Sequence, residues 1–128
     1  MLNFPESFDQ FLSPEECAQI DQTLLPTRDR FSIRITVYSW RYLQRVSEGL
    51  GIPMADLQPQ HIRDWIHQDA TLQTSPVSDE SFIELLDRLL VSSFGPLQKI
   101  ARQESTAIER LTLSQIINWF EQQVKAAL

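Results

Sequence analysis

The chain has 128 residues, 42% of them hydrophobic and 22% charged, with three glycines. That is the composition of one globular domain large enough to bury a core without metal or disulfide support, and it excludes a disordered or collagen-like chain. The net charge of −6 argues against duplex nucleic acid as the main partner, because such binding rests on many cationic phosphate contacts, and a single cysteine excludes an intrachain disulfide.

The first eleven residues, MLNFPESFDQF, place Phe4, Phe8 and Phe11 at i, i+4 and i+7, so one helical turn would align three rings for docking on the main body. They carry acids and no base, unlike a signal or transit peptide. No uninterrupted run of 18 apolar residues follows, so no membrane-spanning helix is expected. With no oxidative framework, the expectation is a soluble cytoplasmic protein. Ser13 reads as the N-cap of a first helix, with Pro14 at its opening position and Glu15 and Glu16 at its positive end. Its expected span ends near Leu25, before Pro26. Cys17 lies inside it and reads as a small core hydrophobe.

The next segment is ambiguous by itself. In FSIRITV, apolar Phe31, Ile33, Ile35 and Val37 alternate with polar residues, which is a strand pattern. An internal match decides for a helix. Residues 34–68 align without a gap on residues 88–122, offset by 54, and nine of the 35 pairs are identical, including Arg34/Arg88, Val37/Val91, Ser39/Ser93, Leu43/Leu97, Leu57/Leu111, Ile62/Ile116 and Trp65/Trp119. The residues matching this segment belong to SFIELLDRLLVSSF, whose spacing is strongly helical. A helix over about Asp29–Leu50 follows, with Phe31, Ile35, Tyr38, Tyr42, Val46 and Leu50 as its broad apolar face and Ile33 and Trp40 on a second side.

Pro53 and Asp56 mark a connection, and a shorter helix is expected from Pro59 to about Ala70 with Ile62, Trp65 and Ile66 inward. After the linker TLQTSPVS, Ser78 caps the second long helix, and Gly95–Pro96 should kink it or break it in two. A last helix opens near Thr112 or Ser114 and buries Ile116, Trp119, Phe120 and Val124. The expected architecture is one all-α domain, a compact bundle of five or six helices built from a duplicated helix–connection–helix unit. Residues 1–27 form an arm and first helix, 28–70 repeat one, 71–81 a linker and 82–128 repeat two.

Charge along the chain is uneven. Residues 1–27 hold five acids and no base, whereas residues 28–50 sum to +3. On the long first helix, Arg30, Arg34, Arg41 and Arg45 fall within about 60°. Four guanidiniums in a stripe suit neutralisation by Glu6, Asp9, Glu15, Glu16 and Asp21 of the same chain. They also suit a carboxylate-rich protein partner, or more remotely nucleic acid. We assign the stripe, chiefly Arg34, Arg41 and Arg45, as the candidate partner-binding surface.

His61, Asp64 and His67 follow as H-x-x-D-x-x-H on the shorter helix and spread over about 120° of its surface. Two of them could share a metal ion, three less easily. The matching positions are Gln115, Asn118 and Glu121, a poor ligand set. A metal-dependent or hydrolytic protein using this face is the alternative reading. The sequence has no phosphate loop and no nucleophile elbow. INWFEQQVK carries a Trp-Phe pair but lacks the basic residues a DNA-recognition helix needs around it.

The segment ITVYSWRYLQRVSEGLGIPMADLQPQHIRDWI resembles stretches of small helical proteins of cyanobacteria, which pair a long apolar helix with a short Leu-x-x-x-x-Ile-x-x-Trp helix. The resemblance covers about a quarter of the chain, lies in hydrophobic positions and carries over no functional residue; it implies a cytosolic bacterial protein. The reading is a non-enzymatic interaction or regulatory module that binds an acidic protein partner or a second copy of itself and needs no cofactor.

Overall fold

The computed structural model describes residues 12–69 and 80–127. The phenylalanine arm, the linker, Ala70 and the Ser78 cap lie outside the described residues. Five α-helices and two 3₁₀ turns form them, with no strand among the described residues. The order is α1 (Pro14–Asp21), α2 (Thr27–Leu50), a 3₁₀ turn (Met54–Asp56), α3 (Pro59–Gln68), α4 (Glu80–Gln103), a second 3₁₀ turn (Ile108–Arg110) and α5 (Leu113–Ala126). The all-α class expected from the sequence is therefore correct, and FSIRITV is helical.

Helix α1 opens with a reciprocal cap. The Glu16 amide donates to Ser13 Oγ at 3.1 Å, and the Ser13 amide to Glu16 Oε1 at 3.0 Å. It ends at Asp21, four residues short of the expected Leu25. Thr23 explains the early stop, since its amide (3.2 Å) and its hydroxyl (2.8 Å) both turn back to the Ile20 carbonyl.

Helix α2 is buried on most of its circumference, from Ile33 to Ser47. Of the expected broad face, Tyr38, Tyr42 and Val46 are buried, as are Ile33 and Trp40 of the second side. Phe31 and Leu50 are exposed and Ile35 is half-buried, while Ile33, Val37 and Leu43 are fully buried. Both sides are covered because α2 packs on α4 and α5 and also meets α1 and α3. The expected break at Gly95–Pro96 is absent, and α4 runs unbroken through Pro96. Ser92, whose carbonyl loses its helical partner to the proline, is exposed, so water can take over that hydrogen bond.

The short helices pack crosswise. Helix α3 lies chiefly against α4, and α5 more against α2 than against α4, so each shorter helix covers the long helix of the other half. Ile62 and Ile66 of α3 and Ile116 and Ile117 of α5 fill the core. Trp65 and Trp119, expected inside, are both only half-buried. A Cβ built on Gly49 would stand 2.2 Å from Cη2 of Trp65, so this ring lies directly on the α2 backbone. Trp119 instead meets Phe120 edge to face at 5.1 Å. Val124, also expected inside, is half-buried.

The offset of 54 that aligns the sequence also separates equivalent structural features. Met54–Asp56 corresponds to Ile108–Arg110, and the first residue of α3 to the first of α5. Each long helix ends in a left-handed residue, Gly51 (φ 67°) and Ser105 (φ 52°). The next amide in each case reaches back five residues, Ile52 to the Ser47 carbonyl (3.1 Å) and Thr106 to the Ala101 carbonyl (3.0 Å). The correspondence stops at the cross-ties. Trp40 Nε1 donates to the Ile108 carbonyl at 2.8 Å, and Gln44 Nε2 to the Glu109 carbonyl at 3.3 Å. Their counterparts are Phe94, which has no N–H, and Gln98, which lines an open cleft with Ala55.

The helix ends supply a test. Nothing lies within 4 Å of a Cβ added at Gly51, so Gly51→Ala should cost only the backbone penalty, about 1 kcal/mol. Ser105→Gly should return a gain of up to about 1 kcal/mol by relieving the same strain. Urea denaturation should move the two midpoints in opposite directions.

Candidate protein-interaction surface

The arginine stripe runs along α2 where α1 crosses it. The structure brings three of its four members to α1. Arg41 grips Glu16 with both terminal nitrogens, Nη1 donating to Oε1 at 2.7 Å and Nη2 donating to Oε2. Nη2 of Arg34 donates to both oxygens of Asp21 at 2.7 Å. Arg30 donates to the Asp21 carbonyl at 3.4 Å and to Thr27 Oγ1 at 3.0 Å. The neutralisation weighed for the stripe thus takes place at Arg34 and Arg41, through Asp21 and Glu16. The Nε atoms of Arg30 and Arg34 are buried and have no hydrogen-bond partner.

The two ion pairs differ in character. Arg34 and Asp21 are both about half exposed, so solvent screens them. Arg41 and Glu16 are three-quarters covered, and the Arg41 guanidinium sits 5.7 Å from the Trp40 ring centroid. The hydrogen bonds from Arg41, aided by the Ser13 cap and opposed by partial burial, hold the Glu16 carboxyl down at about 2.

Arg45, the fourth member, is exposed and lies past α1 toward α3. With Trp65, Gln68 and Asp69 it lines a shallow cleft of about 310 Å³ between α2 and the end of α3. Behind the cleft, the buried Tyr42 hydroxyl donates to Asp69 Oδ2 at 2.8 Å. Burial, joined by that hydrogen bond and the Asp69 charge, pushes the Tyr42 phenol far above its usual range. Tyr38, 6.1 Å away ring to ring, is raised by burial and by Asp69, with Arg45 acting in the opposite sense. Trp65 and Asp69 were missed as site residues. The stripe pointed to Arg45, but only the return of α3 brings an indole and a carboxylate beside it.

The histidine face does not form a ligand cluster. His61 Nδ1 accepts the Gln58 backbone amide at 2.9 Å, so it caps its own helix. Asp64 Oδ1 accepts from Gln60 Nε2 at 2.7 Å. His67 faces a cleft of about 390 Å³ between α3 and α4, beside Arg63 and Arg88. Glu84 and Asp87 line the same cleft, and Arg63 pairs with Asp87 at 3.5 Å; no group of three or more His, Cys, Asp or Glu able to hold a metal ion occurs among the described residues. No helix among the described residues is long and apolar enough to cross a membrane.

These features define an all-helical domain whose distinctive surface is charged and aromatic. Residues 12–127 match the family model described as NDH complex assembly factor CRR9, and the chain belongs to that family. Family membership covers nearly the whole chain and replaces the looser resemblance drawn from one segment. No curated protein and no solved structure matches the chain.

Because the folded-state value of Glu16 lies below its ordinary 4.5, its contribution to stability is present above pH 4.5 and is lost as pH falls toward 2. Solvent screening limits that contribution to about 1 kcal/mol. Glu16→Gln should remove this part of the acid destabilisation, read as a flatter dependence of the urea midpoint on pH between 4.5 and 2; an unchanged slope would contradict the assignment.

Proposed function

We propose that this protein is a non-enzymatic, protein-binding factor that assists assembly of an NDH complex, and that it meets its client at the Arg45–Trp65 cleft and along the arginine stripe. Membership of an assembly-factor family over residues 12–127 supports the reading most directly. The chemistry of the cleft agrees with it, because Arg and Trp are among the residues most enriched at binding hot spots and here they stand together. An indole that is half-buried in the free protein can cover the rest of its area against a partner. The Arg45 guanidinium, which lies past α1, complements an acidic protein surface in charge, and Gln68 and Asp69 add polar groups at the rim.

The test is recovery of NDH subunits on affinity-tagged protein expressed in its native cell. Arg45→Glu should lower that recovery about ten-fold, the scale of a single hot-spot residue. Lys125→Ala on the far helix should leave it unchanged. If NDH subunits are absent from the wild-type eluate, the reading fails. A light-scattering mass of twice the chain, with no client recovered, would assign the same surface to self-association.

A further inference from the structure

We propose that the Arg30–Arg34–Arg41 face of α2 is a docking surface for an acidic helical segment of a protein partner, and that α1 occupies it in this structure as an exchangeable stand-in. The existence of such a partner rests on the function proposed above; the exchangeability of α1 does not.

Helix α1 carries Glu15, Glu16 and Asp21 and no base, so its charge complements the face it covers. Ile20 is the one fully buried residue of the helix, and the flanking Leu12 and Leu25 are only partly buried against the core. Eight residues make just over two turns, too few for a helix to persist unsupported. Such an element opens locally without unfolding the rest. The fit is also incomplete, because the buried Nε atoms of Arg30 and Arg34 find no acceptor beneath α1. A ligand with an acceptor placed at either Nε would satisfy a donor that α1 does not reach.

The geometry of α1 states what the partner must look like. Glu16 engages Arg41, Ile20 fills the apolar socket, and Asp21 engages Arg34. The matching segment therefore has a carboxylate, an aliphatic residue four positions later and a second carboxylate immediately after it. A covered site binds with an apparent affinity reduced by the fraction of time it is open. Loosening the cover should therefore strengthen binding of the same sequence supplied from outside.

The experiment uses the full chain and a fluorescent peptide of residues 12–25 with Cys17→Ser, read by polarisation. The chain carrying Glu16→Gln and Asp21→Asn should bind this peptide about ten-fold more tightly than wild type. Adding Arg34→Ala and Arg41→Ala should abolish the gain, and a peptide with both carboxylates neutralised should not bind. Equal affinities for the wild-type and cover-loosened chains, or binding indifferent to the arginines, would overturn the proposal. Amide exchange of the unmodified chain is the second measurement. Amides of Cys17–Asp21 should exchange well ahead of those of Val37–Val46; coincident exchange would mean that α1 opens only with global unfolding and would also overturn it.

Discussion

Crosswise packing is the constraint from which the rest of this structure follows. Neither long helix can cover its apolar circumference with its own short helix, because α3 and α5 each lie mainly on the opposite long helix. The two halves are thereby interdependent, and core residues contributed by α2, α3, α4 and α5 form one cluster. Trp40 and Gln44 extend the same logic in polar form, reaching from α2 to the carbonyls of the distant 3₁₀ turn. Buried carbonyls need partners, and here a side chain 65 or more positions away supplies them.

With α2 so committed, the side that meets α1 and the end of α3 carries the polar chemistry. Its arginines divide into two groups. Arg30, Arg34 and Arg41 hold α1 in place, while Arg45 sits beyond it, next to Trp65 and Asp69. The buried tyrosines behind Asp69 join this edge to the core, since Tyr42 is both a packed ring and the donor that orients the Asp69 carboxylate. A surface of this kind is rigid underneath and charged on top, which suits recognition of another protein. The opposite edge differs. Phe94 and Gln98 occupy the positions of Trp40 and Gln44 but make no matching tie, and a cleft opens there. The two sequence-matched segments therefore differ in their cross-ties.

Helix ends were the most legible features. Ser13 and Thr112 act through contacts between near neighbours in the chain, so their roles follow from local sequence. Thr23 was the exception, because its competing bond to Ile20 is local yet has no strong sequence signature. Pro96 did not break its helix, the stronger of the two outcomes expected at Gly95–Pro96. A proline breaks a helix only where the freed carbonyl cannot be satisfied, and the exposure of Ser92 makes it tolerable here. The candidate site was half legible. The spacing of the arginines placed them on one stripe, but which of them would meet Glu16 and Asp21 depended on where α1 comes to rest.

By itself, then, the sequence determined the helical class and the caps of α1 and α5 at Ser13 and Thr112, because these depend on periodicity and on bonds spanning a few residues. Tertiary structure alone decided that Trp65 and Trp119 would be only half-buried, that Phe31 and Leu50 at the ends of the expected α2 face would be exposed, and that Trp65 and Asp69 would flank Arg45. Those outcomes depend on how helices far apart in the chain cross, and a crossing is chosen by the summed fit of many side chains, which no local pattern encodes.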